Sequence, residues 1–298
     1  MSAGPQRDPE LEQTALRMLT GEVERRGLLA EVDGSALVIP RGDGTSIGFG
    51  AGGLVQLLRK APITEWRGLS ERVVDALLSV PAAEASPAGY EAARPHLRVS
   101  LLPSGVRRAR SMTARPVAEG LIEVLTWDMP QLLHRLSRAM TDHWGVSDEE
   151  AFGLARAQTQ TQPLRVEPAP GRLGEAGGVL LAGDLYAATQ LLWLAERVEV
   201  PEEGALVTAP REDVALVVPI RGPEAAASLP VLCTAAHCLY EAGPWPLCPR
   251  VFWWRAGSMQ ALIDVAIVEG EVGLVLLPDA LAARLSERGW LTDMMELG

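Results

Sequence analysis

The chain is 298 residues long, with 48% hydrophobic and 22% charged residues and a net charge of −11. That length and balance predict a folded protein with a large core and exclude a disordered chain. The acidity excludes general binding to a nucleic-acid backbone, and no apolar run reaches the roughly 18 residues that span a bilayer.

The start, Met1 to Glu10, is polar and leads into no apolar signal segment. Cys233, Cys238 and Cys248 are odd in number and clustered late, unlike a secreted disulfide framework. Both features predict a cytoplasmic protein. Lys60 is the only lysine; the other basic residues are arginines, which reads as coding bias rather than function.

Residues 1–8 read as a disordered tail. Leu11, Ala15, Leu19 and Val23 recur every four residues, which predicts an amphipathic helix ended by Gly27. Strands at 28–32 and 36–39 flank Asp33-Gly34, a hairpin signal, and a second turn at 42–44 completes a three-strand meander. Helices are expected over 54–60 and 65–80, the second with Trp66, Leu69, Val73 and Leu77 on one face. The Ala/Pro/Glu/Ser-rich stretch 83–95 reads as a linker between a lobe at 9–82 and a domain at 96–298.

In the second part, strands are expected at 97–102 and 121–127, separated by a basic run of Arg107, Arg108, Arg110 and Arg115. Helices follow at 131–143 and 148–159, the latter started by a capping box of Ser147 and Glu150. Residues 163–178 read as a Pro/Gly-rich connection, and 185–198 as a helix capped by Asp184. A strand pair at 205–209 and 214–219 precedes a helix at 230–241. Three strands at 250–256, 259–268 and 272–277 lead to a last helix at 280–288, capped by Asp279 and stopped by Gly289. Strands joined by short turns pair antiparallel, so the class is α+β, mainly antiparallel sheets with helices packed on one face. Residues 36–43 are echoed at 205–213, which allows two similar lobes.

Several motifs suggest chemistry. Thr234-Ala235-Ala236-His237-Cys238 matches the pentapeptide around a serine-protease histidine, but no Gly-Asp-Ser-Gly-Gly segment follows and the local pattern is helical. Cys233 and His237 are four residues apart on one helix face, and with Cys248 they are the candidate zinc ligands. Residues 48–53 fit G-x-G-x-x-G, yet no parallel strand or acidic residue completes a dinucleotide site. The arginine run is a candidate phosphate or acidic-partner site. Trp253 and Trp254, adjacent in a strand, point to opposite faces, and one is expected to mark a contact surface.

Four phrases carry a family resemblance: LIEVLTWD (121–128), HWGVSDEEAFGLA (143–155), GDLYAATQLL (183–192) and GALVTAPREDVALVV (204–218). With the N-terminal helix and meander, they resemble the YtpQ-like family of bacterial proteins of unknown function over residues 10–265. The resemblance implies a shared arrangement of elements and no reaction.

The leading expectation is a non-enzymatic cytoplasmic module that binds another protein through Trp253 or Trp254. The alternative is a hydrolase-like enzyme whose Asp128, Asp184, Asp213 and Arg211 meet in one cleft. A zinc-stabilised domain built on Cys233, His237 and Cys248 is a further alternative. No cofactor, nucleic-acid partner or membrane partner is expected.

Overall fold

A computed structural model describes residues 9–33, 36–40, 46–79, 87–106, 109–129, 132–183, 185–242, 245–268 and 271–290. It is an α+β fold in which every described strand pairing is antiparallel. Among the described residues, no helix is long and apolar enough to cross a membrane.

The first lobe comprises α1 (Pro9–Arg25), the meander β1 (Glu31–Asp33), β2 (Ala36–Pro40) and β3 (Ser46–Gly50), then α2 (Ala51–Lys60) and α3 (Trp66–Ser79). The four-residue apolar spacing of α1 has its physical counterpart here. Ala15, Leu19 and Val23 are buried against Leu37, Ile39, Leu54, Leu58 and Val74 in a core of their own. Gly27 ends the first helix with φ of 73°, a left-handed turn that suits glycine. The expected tail and the turns at 34–35 and 41–45 lie outside the described residues.

The expected linker is outside the described residues only up to residue 86. Beyond it, α4 (Tyr90–Ala93) and a 3-10 turn (Arg94–His96) are ordered, with Tyr90 and Ala93 buried in the next core.

A four-stranded sheet follows, made of β4 (Leu97–Pro103), β5 (Ala114–Ala118), β6 (Leu121–Met129) and β7 (Leu132–Arg135). The long β6 pairs with β4 along one side and with both β5 and β7 along the other. The helix expected at 131–143 is therefore a strand followed by the short α5 (Arg138–Thr141). Leu132, Leu133, Leu136 and Met140 are spaced acceptably for either structure. Pairing of Leu132 with Met129 and Leu133 with Asp128 decides for the hairpin. On the other side of this sheet, α6 (Asp148–Gln160) buries Phe152 and Ala155 against Leu97, Val99 and Leu125. Its Ser147 hydroxyl accepts from the Glu150 N–H at 3.2 Å, the expected cap. Beneath it, Arg156 donates through Nε (2.7 Å) and Nη2 (2.6 Å) to the fully buried Glu123.

The six-stranded sheet runs β13-β12-β10-β11-β9-β8, comprising β8 (Leu164–Pro168), β9 (Val179–Gly183), β10 (Ala205–Arg211), β11 (Val214–Pro219), β12 (Val251–Arg255) and β13 (Ser258–Ala261). β8 and α7 (Arg172–Glu175) lie in the stretch 163–178 expected as a connection, and β9 begins just after it. Their flanking Pro and Gly residues mark strand ends rather than a loop. Residues 185–198 form a turn, a 3-10 segment (Ala188–Trp193) and α8 (Leu194–Arg197) instead of one helix. Buried polar bonds hold this tighter winding: the Thr189 hydroxyl accepts from the Leu101 N–H (3.3 Å), and Gln190 Nε2 donates to the Thr159 carbonyl (3.0 Å).

Each face of this sheet has its own core. On one, Leu206, Leu216, Val218 and Trp253 pack against α9 (Pro223–Ala227), α10 (Leu229–Ala242) and α11 (Asp279–Glu287). On the other, Leu181, Val207, Val217, Phe252 and Trp254 meet Leu101 and Leu121 of the four-stranded sheet. A two-stranded ribbon, β14 (Ile263–Val268) and β15 (Glu271–Leu276), precedes α11. The echoed phrases fall on β2 and β10, both inner strands followed by an antiparallel partner and then a helix.

Candidate functional site

The apposition of the two larger sheets brings together charges that are distant in sequence. On the four-stranded sheet, register places Arg98 opposite Thr126 and Thr126 opposite Arg135, a row across β4, β6 and β7. Asp128 stands two residues beyond Thr126, on the same face by strand alternation. On the six-stranded sheet, the turn between β10 and β11 carries Glu212 and Asp213, and the turn after β9 carries Tyr186. Backbone bonds hold the two turns together. The Ala188 N–H donates to the Glu212 carbonyl (3.0 Å), and the Gly183 N–H donates to the Asp213 carbonyl (3.2 Å).

Glu212 is buried, and its Oε1 accepts from Arg135 Nη2. Burial pushes its carboxyl above the usual range. Arg135 opposes that push, and the neighbouring Asp213 adds to it. The Tyr186 hydroxyl is raised far above its ordinary value, first by burial and then by the adjacent Asp128 carboxylate. It stays protonated at any physiological pH. Asp128 stands close to that hydroxyl without forming a well-made hydrogen bond. Arg98 lies within electrostatic reach of the same hydroxyl, and its Nη1 donates to the Leu97 carbonyl at 2.7 Å. Arg211 grips Asp213 with two donors, one at 2.7 Å, so this pair satisfies itself.

Six buried side-chain polar atoms among the described residues have no hydrogen-bond partner within the protein; four belong to this cluster. They are Arg98 Nε, Arg135 Nε, Tyr186 Oη and Glu212 Oε2. Native interiors pair nearly all such atoms, so their concentration at one place marks it as unusual.

Of the expected chemical candidates, Asp128 lies within this cluster, and Asp213 and Arg211 form its rim beside Glu212. Asp184 lies outside the described residues. Arg98, Arg135, Tyr186 and Glu212 were not singled out by sequence, because nothing local distinguishes a strand arginine or turn glutamate from a solvated one. The only available signal was the adjacency of Glu212 to Asp213 in a tight turn.

The other candidates separate. Trp253 and Trp254 are both buried and occupy opposite core faces. Their indole N–H groups donate to the carbonyls of Glu203 (2.8 Å) and Leu191 (2.9 Å). Neither is a contact surface, because two packed layers cover the two faces of β12. Cys233 and Cys248 lie in different cores on opposite sides of the sheet, and His237 is exposed, so the three do not converge on a metal. His237 is on α10, as the helical pattern implied. Arg115 pairs with Glu149 at 2.9 Å and lies over the Phe152 ring, while Arg107 and Arg108 are outside the described residues. A small hollow under α11, lined by Leu206, Ile220, Leu229, Leu281 and Leu285 among others, is apolar and offers no reacting group.

Comparison with protein-family models, with curated proteins and with solved structures finds no match.

Proposed function

We propose that this protein is a binding module that recognises a small polar molecule where its two larger sheets meet. The reading rests on the four unpartnered polar atoms gathered from two strands and two turns. A buried polar group without a partner costs about 1–3 kcal/mol, a cost that a ligand supplying partners would offset. Arg98 and Arg135 balance Asp128 and, when it is ionised, Glu212, while Arg211 and Asp213 neutralise each other. A ligand of low net charge with both donors and acceptors suits that balance. The burial of both tryptophans removes the support for a protein-binding surface at β12. We place the protein in the cytoplasm, where its three free thiols stay reduced.

Thermal-shift screening against small amides, zwitterionic amino acids and polyols tests the proposal, with Arg135→Gln as the control. The reading expects at least one compound to raise Tm in the wild type and not in the variant. Equal shifts in both, or none across the panel together with a crystal structure in which repacked protein groups pair all four atoms, would refute it. Glu212, held toward its protonated form beside Tyr186 and Asp213, favours a second reading as a general acid. In that case Glu212→Gln would retain ligand binding while abolishing ligand turnover.

A further inference from the structure

We infer that the β8 edge of the six-stranded sheet is a self-association surface, at which a second copy of this chain pairs antiparallel about Val166. Among the described residues the edge is open: from Arg165 to Pro168 every residue is exposed, and Val166 is 44% exposed despite being a large apolar side chain. The direction of its backbone groups follows from the ladder. The Gly183 N–H points to Asp213 and the Ala169 N–H to Gly178. Alternation then turns the N–H and C=O of Arg165 and Glu167 toward β9 and those of Leu164 and Val166, with the Pro168 carbonyl, outward. A strand with outward groups of this kind is a template for another strand.

The side chains identify the occupant. The order is Leu164-Arg165-Val166-Glu167-Pro168. Under a twofold axis through Val166, Val166 faces Val166 of the second copy. Arg165 then faces Glu167 of the second copy, and Glu167 faces its Arg165. The strand is thus charge-complementary to itself in one antiparallel register. That register lets the Val166 groups exchange both backbone bonds, and the Leu164 N–H meets the Pro168 carbonyl of the second copy. Pro168 has no N–H to offer, so it ends the ladder there. Charges and proline on an edge strand often block pairing, but here their order supports a symmetric, isologous contact. Val166 pairs with Leu181, which belongs to the core shared with the four-stranded sheet, so the contact extends that apolar row. Within one chain, Arg165 and Glu167 are 3.4 Å apart but 71% and 50% exposed, a pair free to exchange partners.

Sedimentation of the full chain over a concentration series tests this inference. The wild type is expected to shift from monomer to dimer with rising concentration. Arg165→Glu alone, or Glu167→Arg alone, sets like charges opposite one another at both positions and should weaken self-association by about tenfold or more. An equimolar mixture of the two variants makes both positions complementary again and should restore the dimer. Circular dichroism establishes that each variant is folded. A monomeric wild type at all concentrations, single variants that dimerise like the wild type, or a mixture that stays monomeric would each overturn the inference. Capture of an unrelated extended peptide by a monomeric wild type would do the same.

Discussion

Replacing Glu212 by Gln isolates the energetic character of the cluster. Glu212 is almost completely buried, has one oxygen on Arg135 and leaves the other without a partner. Taking a carboxylate out of water costs several kcal/mol, and a single partly exposed arginine recovers only part of that. The folded protein therefore holds the Glu212 proton more tightly than the unfolded chain, whose glutamate titrates near its ordinary value of 4.5. The sign follows from linkage. Above that pH, the unfolded state has lost the proton and the folded state has kept it, so this residue's contribution to stability falls as pH rises. The fall continues up to the raised folded value and then levels off. For one proton the slope is at most about 1.4 kcal/mol per pH unit. For large domains each kcal/mol moves Tm by roughly 2–4 °C. The assay is urea unfolding of wild type and Glu212→Gln at closely spaced pH values from acid to neutral. The stability difference, wild type minus variant, should decrease with pH across that window. A difference that is flat, or that grows with pH, would mean that Arg135 outweighs burial and would refute the reasoning.

Other outcomes are expected elsewhere. Arg156→Ala strands the fully buried Glu123 carboxylate; breaking a buried pair costs about 3–5 kcal/mol, and the half-exposed guanidinium points to the lower end, measurable by chemical denaturation. Trp254→Ala removes a core indole and frees the Leu191 carbonyl. It should cost about 3–5 kcal/mol, and a stability unchanged within about 0.5 kcal/mol would place the residue on the surface instead. Gly204 has φ of 94°, and an added Cβ would lie 2.3 Å from the Trp254 carbonyl oxygen and 2.9 Å from Trp253 Nε1. Gly204→Ala should therefore lower Tm markedly, whereas Gly257→Ala, with open space at its Cβ position, should lower it less.

What the sequence made legible follows from the range of the interactions involved. The helix on Leu11, Ala15, Leu19 and Val23, the Ser147 cap and the β10–β11 hairpin are determined within a few residues, and each is read from spacing alone. The helix expected at 131–143 failed because Leu132, Leu133 and Leu136 suit either period, and the choice is made by β6. β8 and β9 were hidden by the prolines and glycines that bound them. Trp253 and Trp254 were expected to divide between core and surface, since alternation sends them to opposite faces. That alternation is real, but helices cover one face and the other sheet covers the second. Asp128, Asp213 and Arg211 were recognisable as polar residues at strand ends and turns. Arg98, Arg135, Tyr186 and Glu212 acquire significance only when two sheets bring them together, and no local pattern encodes that contact.

The most direct test is the unfolding free energy of Tyr186→Phe, measured without added ligand. A hydroxyl kept unpartnered for the sake of a ligand is a burden on the empty protein, so deleting it should raise stability by about 1 kcal/mol. If the variant is instead destabilised by that amount or more, the hydroxyl is a satisfied part of the interior and the cluster is structural.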